Sequence, residues 1–253
     1  MPLEIVTIPC LSDNYAYLVN GPDGVALIDA PEAGPIIAAL EERGWSLGVI
    51  MITHHHHDHV GAVAELKEKY GCMVMGPEAE KDKLPPLDFA LPDGFSGGNG
   101  DGLCQVISVP GHTLGHIAYY YPKANAIFTA DSLMALGCGR LFEGTPEMMH
   151  ESLSKLSALP PETMIYSGHE YTASNAKFAL TIEPDNAELI SRTEAIAEDR
   201  RNNRPTVPAS LSLELATNPF LRASEMSVRR QLGMIDATDT EVFAEIRARK
   251  DSF

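Results

Sequence analysis

Val49-Ile50-Met51-Ile52 runs directly into Thr53-His54-His55-His56-His57-Asp58-His59. Four apolar residues form a short strand of the fully buried kind, and five of the nine histidines follow within six positions. Packing several imidazoles at a strand end is costly unless something uses their lone pairs, so the segment reads as a metal site. Its internal position excludes an added tag. In an extended chain alternate side chains share a side, so His54 and His56 can converge on one ion while His55 and His57 turn away. Asp58 and His59 stand where the chain turns toward the next helix and can address a second ion nearby.

Short strands and turns surround this segment. Apolar runs at 3–8, 15–19 and 25–28 are separated by Ser12-Asp13-Asn14 and Gly21-Pro22-Asp23-Gly24. A helix carrying Ile36, Ile37 and Leu40 on one face stops at Gly44, and a second, over 63–70, stops at Gly71. Further strands are expected at 104–109, 117–121, 126–129 and 164–166. Thr145-Pro146-Glu147 has the hydroxyl cap, first-turn proline and first-turn acid of a helix start. Many strands with interspersed helices predict a layered αββα domain.

Composition changes near residue 173. Nineteen of the twenty glycines and all nine histidines precede residue 174. Residues 1–173 hold 8 basic and 22 acidic residues, whereas 174–253 hold 11 and 13. The tail reads as helices at 172–181, 186–201, 224–232 and 240–250, with Pro205, Pro208 and Pro219 breaking the run between them. Thr238 and Glu241 have capping-box spacing before the last helix. Two domains are therefore expected, 1–173 and 174–253.

The formal charge of −16 repels phosphate backbones and argues against nucleic-acid or anionic-membrane partners. No export signal and no membrane-length apolar run is visible, and Cys10, Cys72, Cys104 and Cys138 are scattered. A cytoplasmic protein with reduced thiols is expected. No coiled-coil heptad demands self-association, so a monomer is expected.

Two ions need ligands from elsewhere, and three candidates follow expected strands: His112 in Pro110-Gly111-His112-Thr113, Asp131 in Thr129-Ala130-Asp131-Ser132, and His169 in Ser167-Gly168-His169-Glu170. The series His54-x-His56-x-Asp58-His59, Gly111-His112-Thr113-x-Gly115-His116, Asp131 and His169 resembles the metallo-β-lactamase superfamily. Within it, residues 53–61, the loop 137–144, Gly168-His169-Glu170-Tyr171 and Asn218-Pro219-Phe220 resemble the hydroxyacylglutathione hydrolase (glyoxalase II) branch, over essentially the whole chain. The resemblance implies an α/β metallo-β-lactamase-like αββα sandwich with a C-terminal all-helical domain that contributes to glutathione binding. It further implies two divalent ions, zinc first with iron or manganese also accepted. His54, His56 and His112 resemble the ligands of one ion, Asp58, His59 and His169 those of the other, and Asp131 the carboxylate shared by both with a hydroxide. Asp29 matches an outer acidic position, equally readable as a strand-end turn residue; His116 reads as structural or supporting.

Such a site suits a thioester. A metal-held water has a pKa near 7 instead of 15.7, which supplies a nucleophile without serine or cysteine. The leaving thiol, with a pKa of about 8.5, departs without a strong general acid. Arg140 follows Gly137-Cys138-Gly139, where glycine allows close backbone approach to a ligand. From spacing alone Arg247 and Lys250 read as a solvated helix face. The resemblance instead implies that they bind glutathione carboxylates, with Arg140 and Tyr171 as further contacts. Phe142 stands where some members carry tyrosine, and its ring can still line the pocket. The implied reaction is hydrolysis of S-D-lactoylglutathione to glutathione and D-lactate, the second step of methylglyoxal detoxification. The rivals are a mononuclear-iron persulfide dioxygenase of the same superfamily and a catalytically silent metal-binding protein on the same scaffold.

Overall fold

In the computed structural model, which describes residues 2–253, the alternating N-terminal runs form β1 (Glu4–Cys10), β2 (Asn14–Gly21) and β3 (Gly24–Ile28), paired antiparallel in sequence order. Strands β4 (Leu47–Met51), β5 (Met73–Pro77) and β6 (Phe89–Leu91) then extend the sheet in parallel. Parallel neighbours require crossover connections. Helix α1 (Ala33–Arg43) provides one; the short α2 (His57–Val60) and α3 (Val63–Tyr70) provide the next. Gly44 and Gly71, at φ 64° each, end α1 and α3 in the left-handed conformation that glycine adopts without a Cβ penalty. Ile36 and Leu40 of α1 and Leu66 of α3 pack on Leu18, Leu27, Ile50 and Val74 of the sheet.

A second sheet, β7 (Ser96–Gly97), β8 (Cys104–Ser108), β9 (Ile117–Tyr121) and β10 (Ala126–Ala130), pairs antiparallel in that order. It faces the first sheet: the Tyr119 hydroxyl donates to the Ile52 carbonyl at 2.7 Å, and the Tyr17 and Phe128 rings lie 5.4 Å apart. These elements make one compact unit, which runs to Ser108 and resumes over Leu114–Thr129. Strand β5 falls where the sequence reading places none. Met73 and Met75 give a weak strand signal, and the strand forms because Val74 fills the core beside β4.

The second unit comprises Val109–Thr113 and Ala130–Phe253. It holds the hairpin β11 (Leu133–Met134) and β12 (Gly137–Cys138), then helix α4 (Pro146–Ser157), whose Thr145 cap accepts from the Met148 amide. Strand β13 (Met164–Ser167) pairs with β14 (Ala209–Ser210). Between them run α5 (Thr172–Ile182) and α6 (Ala187–Arg201), which pack through Ala176, Ala179, Leu189 and Ile196 around Leu136. The stretch expected to be broken by proline contains a helix, α7 (Leu211–Thr217). Leucines at 211, 213 and 215 obscure a helical period, but Ser210 caps it and Glu214 is buried in hydrogen bonds. Helix α8 (Met226–Leu232) and α9 (Asp239–Ser252) complete the chain, α9 starting in a full Thr238–Glu241 capping box. Among the described residues no helix is long and apolar enough to cross a membrane.

Candidate metal centre and cationic cluster

In the first unit, β3 and β4 end side by side, and Asp29 joins their continuations. Its carboxylate accepts the Thr53 amide, the Thr53 hydroxyl and His59 Nδ1, each at 2.8 Å. Giving Nδ1–H to Asp29 leaves His59 Nε2 with the lone pair, 3.8 Å from Asp58 Oδ2. The Thr53 hydroxyl proton is committed to Asp29, so that oxygen accepts from His54 Nδ1 at 3.0 Å. His54 Nε2 is thereby the bare nitrogen, and it faces His56 Nδ1 at 3.2 Å. Ligand atoms of Asp29, His54 and His59 lie within 4.8 Å of one another. Asn14 Nδ2 orients Asp58 by donating to its carboxylate at 3.0 Å and its carbonyl at 3.1 Å. The His116 ring stacks on His54, with centroids 4.6 Å apart. His55 turns to Glu80 and His57 is exposed.

In the second unit, His112, Asp131 and His169 come together. The two Nε2 atoms each lie 3.3 Å from Asp131 Oδ2. His112 Nδ1 donates to the Arg140 carbonyl at 2.7 Å, which again leaves Nε2 without a proton. A bare imidazole nitrogen facing a carboxylate oxygen sets lone pair against lone pair, and a cation between them resolves the conflict. The donor sets of both units therefore fit divalent metal. Gly139 permits this arrangement: a Cβ there would meet the Asp131 carbonyl at 1.9 Å and His112 Nδ1 at 3.0 Å. The close backbone approach expected of the 137–139 glycines is thus an approach to Asp131. The Tyr171 ring stacks on His169 at 4.6 Å, and Phe142 lies edge-on to His112 at 5.3 Å; both rings are exposed.

Three cations gather in the same unit. Arg247 is only 5% exposed, which overturns its solvated-face reading. Its Nη1 donates to the Cys138 carbonyl at 3.0 Å and its Nη2 to Asp251 at 2.8 Å, with the guanidinium 5.2 Å from the Phe220 ring; Nε makes no hydrogen bond. The face of α9 that looked polar by spacing is covered because Arg247 reaches back to β12. Lys250 Nζ lies over Phe178 at 5.2 Å and Phe253 at 5.3 Å, and burial together with the Arg247 charge lowers its pKa. Arg140 is exposed and approaches Asp251 at 3.5 Å. Asp251 thus pairs with Arg247 and approaches Arg140, and the cluster of three cations and one carboxylate keeps a net positive charge.

Sequence reasoning missed the groups that hold these residues in place. The Asn218 amide donates to the carbonyls of Met134 at 3.1 Å and Gly137 at 3.0 Å, and to Glu214. Glu214 accepts the Leu136 amide at 2.9 Å and pairs with Arg192. The C-terminal helices thereby fix the hairpin that links Asp131 to Arg140. Asp251 was legible as an i,i+4 partner of Arg247. Glu80 left no local signal beyond one acid after a strand. The thiols offer no nucleophile: burial raises Cys10 and Cys104 to about 12 and Cys138 to about 11.

Comparison with known proteins gives the family. Residues 11–169 match the metallo-beta-lactamase superfamily, and residues 170–253 match the family described as hydroxyacylglutathione hydrolase C-terminus. A curated relative from Cereibacter sphaeroides, named hydroxyacylglutathione hydrolase, is 60% identical over 100% of both chains. The solved BLEG-1 B3 metallo-beta-lactamase superposes with a TM-score of 0.68 at 23% identity, covering 86% of this chain and 99% of that one, a likeness of fold. TTHA1623, solved in a di-iron-bound form, has a TM-score of 0.62 at 29% identity, covering 86% of this chain and 100% of that one. The two family matches meet at residues 169 and 170 and one relative aligns end to end, so the chain belongs to the hydroxyacylglutathione hydrolase family, with a metallo-β-lactamase α/β domain followed by a helical C-terminal domain.

Proposed function

We propose that the protein hydrolyses S-D-lactoylglutathione and related 2-hydroxyacylglutathione thioesters to glutathione and the free 2-hydroxy acid, serving the second step of methylglyoxal detoxification in the cytoplasm. The observation that carries this reading is full-length identity of 60% to a relative whose name states the reaction class. The same relatives do not favour the persulfide dioxygenase or a silent scaffold. In this reading residues 1–173 carry the chemistry and 174–253 contribute to substrate binding. The protein acts as a monomer, with no nucleic-acid or membrane partner.

In this reading His54, His56, His112 and Asp131 would hold one ion, and Asp58, His59, His169 and Asp131 the other. Zinc is the proposed metal, with iron or manganese also suited to imidazole and carboxylate ligands; the di-iron form of TTHA1623 supports the latter breadth. Divalent ions held there would polarise the thioester carbonyl and bring the pKa of a water from 15.7 to about 7. The chain's own part is preorganisation. Asp29 and Thr53 fix the tautomers of His59 and His54, Asn14 aims Asp58, and the Arg140 carbonyl fixes His112. Arg140, Arg247 and Lys250 hold the peptide carboxylates, while Tyr171 and Phe142 supply ring surface beside the imidazoles. The glutathione thiolate leaves without a protein acid.

Purified, metal-loaded protein should consume lactoylglutathione thioester absorbance and release D-lactate in equal amount. Failure to turn over with metal content verified contradicts the proposal. Elemental analysis of protein purified without added metal identifies the native ion.

A further inference from the structure

Glu80 closes the three-residue turn after β5 and is 3% exposed. Its Oε2 accepts the His55 amide at 2.9 Å and His55 Nδ1 at 2.7 Å. Its Oε1 accepts the Gly115 amide at 2.9 Å. Burying a carboxylate is costly unless its oxygens are filled, and here both are, by donors from two separate segments. His55 lies between His54 and His56, and Gly115 precedes His116, whose ring stacks on His54. The fit is close: a Cβ at Gly115 would meet Glu80 Cγ at 2.5 Å and Ala79 Cβ at 2.9 Å.

We infer that Glu80 is a positioning residue for metal binding: through His55 and Gly115 it sets the backbone from which His54 and His56 present their nitrogens, and the rest position of the ring packed on His54. The inference rests on the reading of the histidine set as metal ligands. An apolar residue would satisfy the packing but would leave two amides and one imidazole N–H without an acceptor. A carboxylate satisfies all three and also adds a negative charge behind the imidazoles.

The test is zinc affinity of the metal-free protein, measured by competition with a chromophoric chelator. Glu80→Gln keeps the volume but turns one acceptor oxygen into an amide donor facing a donor. It should raise the zinc dissociation constant about 10–100-fold, the range for groups that orient metal ligands. Glu78→Gln, an exposed acid on the same turn, removes the same formal charge and should leave affinity at the parent value. His55→Ala removes only the imidazole bond and should give a smaller loss, and it serves if Glu80→Gln does not fold. The metal-induced rise in Tm should shrink in Glu80→Gln, and excess zinc should restore turnover with KM unchanged. Parent-like zinc affinity in folded Glu80→Gln, or in His55→Ala if Glu80→Gln fails to fold, overturns the inference. A lower Tm with the metal-induced rise intact does so as well. Absence of zinc binding by the parent protein would instead overturn the reading of the histidines.

Discussion

His59 gives its Nδ1 proton to Asp29 at 2.8 Å, with both side chains buried, so the nitrogen on the opposite side of the ring is the one that can bind a cation. Asp29 does this from φ 56°, a left-handed conformation that asparagine tolerates. Asp29→Asn should therefore keep the backbone, while an amide nitrogen in place of Oδ2 loses two of the three accepted hydrogen bonds, those from the Thr53 hydroxyl and His59. The expected outcome is metal affinity weaker by about tenfold or more, with KM for thioester kept once metal is restored. Chelator competition and kinetics at saturating metal measure the two effects; parent-like affinity would remove Asp29 from this role.

Arg247 and Lys250 should separate although they sit three residues apart. Arg247→Ala removes a buried guanidinium that holds the Cys138 carbonyl, so it should cost about 2 kcal/mol of stability as well as raising KM. Lys250→Ala should raise KM for the glutathione thioester with kcat and stability nearly unchanged, because its ammonium rests on the Phe178 and Phe253 rings. Denaturant melts and steady-state kinetics on both variants decide it. A small thioester lacking the peptide should not distinguish either variant's binding from the parent's.

Lys250 also sets a pH dependence. Its folded pKa lies below the ordinary 10.5, because burial and Arg247 disfavour the ammonium. Between the folded and unfolded pKa values the unfolded chain binds the extra proton, so this residue's contribution to stability rises with pH through that window. Anion binding runs the other way: once pH passes the lowered pKa the charge is lost and KM rises. KM profiles on the alkaline side should show this rise in the parent and lose it in Lys250→Ala. An identical rise in both proteins assigns it elsewhere.

Asn218 tests the clamp on the hairpin. Asn218→Ala leaves the Met134 and Gly137 carbonyls short of a donor in a fully buried place and should cost about 3 kcal/mol, roughly 6–12 °C in Tm. The surviving folded protein should bind metal more weakly, since the hairpin connects Asp131 to the Arg140 carbonyl that holds His112. Calorimetry and metal analysis check the two parts. A Tm within a degree of the parent would show the clamp to be unimportant.

Local chemistry was legible and distant partnership was not. The ends of α1 and α3 at Gly44 and Gly71, and the start of α9 at Thr238, follow from backbone preferences that act within a few residues. That His55 turns aside from His54 follows from the alternation of an extended chain, but its partner Glu80, 25 residues on, depends on how β5 packs. Arg247 defeated the spacing argument for the same reason. A helical period says which residues share a face, and only the hairpin 109 residues earlier determines whether that face is dry. Strand β5 and helix α7 were hidden because methionine and alternating leucine carry no clear period, while burial of Val74 and Glu214 decided the outcome.

The most direct measurement is a titration of chelator-stripped protein with zinc while hydrolysis of S-D-lactoylglutathione is followed. The expected result is no turnover without metal, then activity that rises to a plateau near two equivalents per chain with stoichiometric D-lactate. Hydrolysis that persists in the metal-free protein, or a fully loaded protein that leaves the thioester intact, would contradict it.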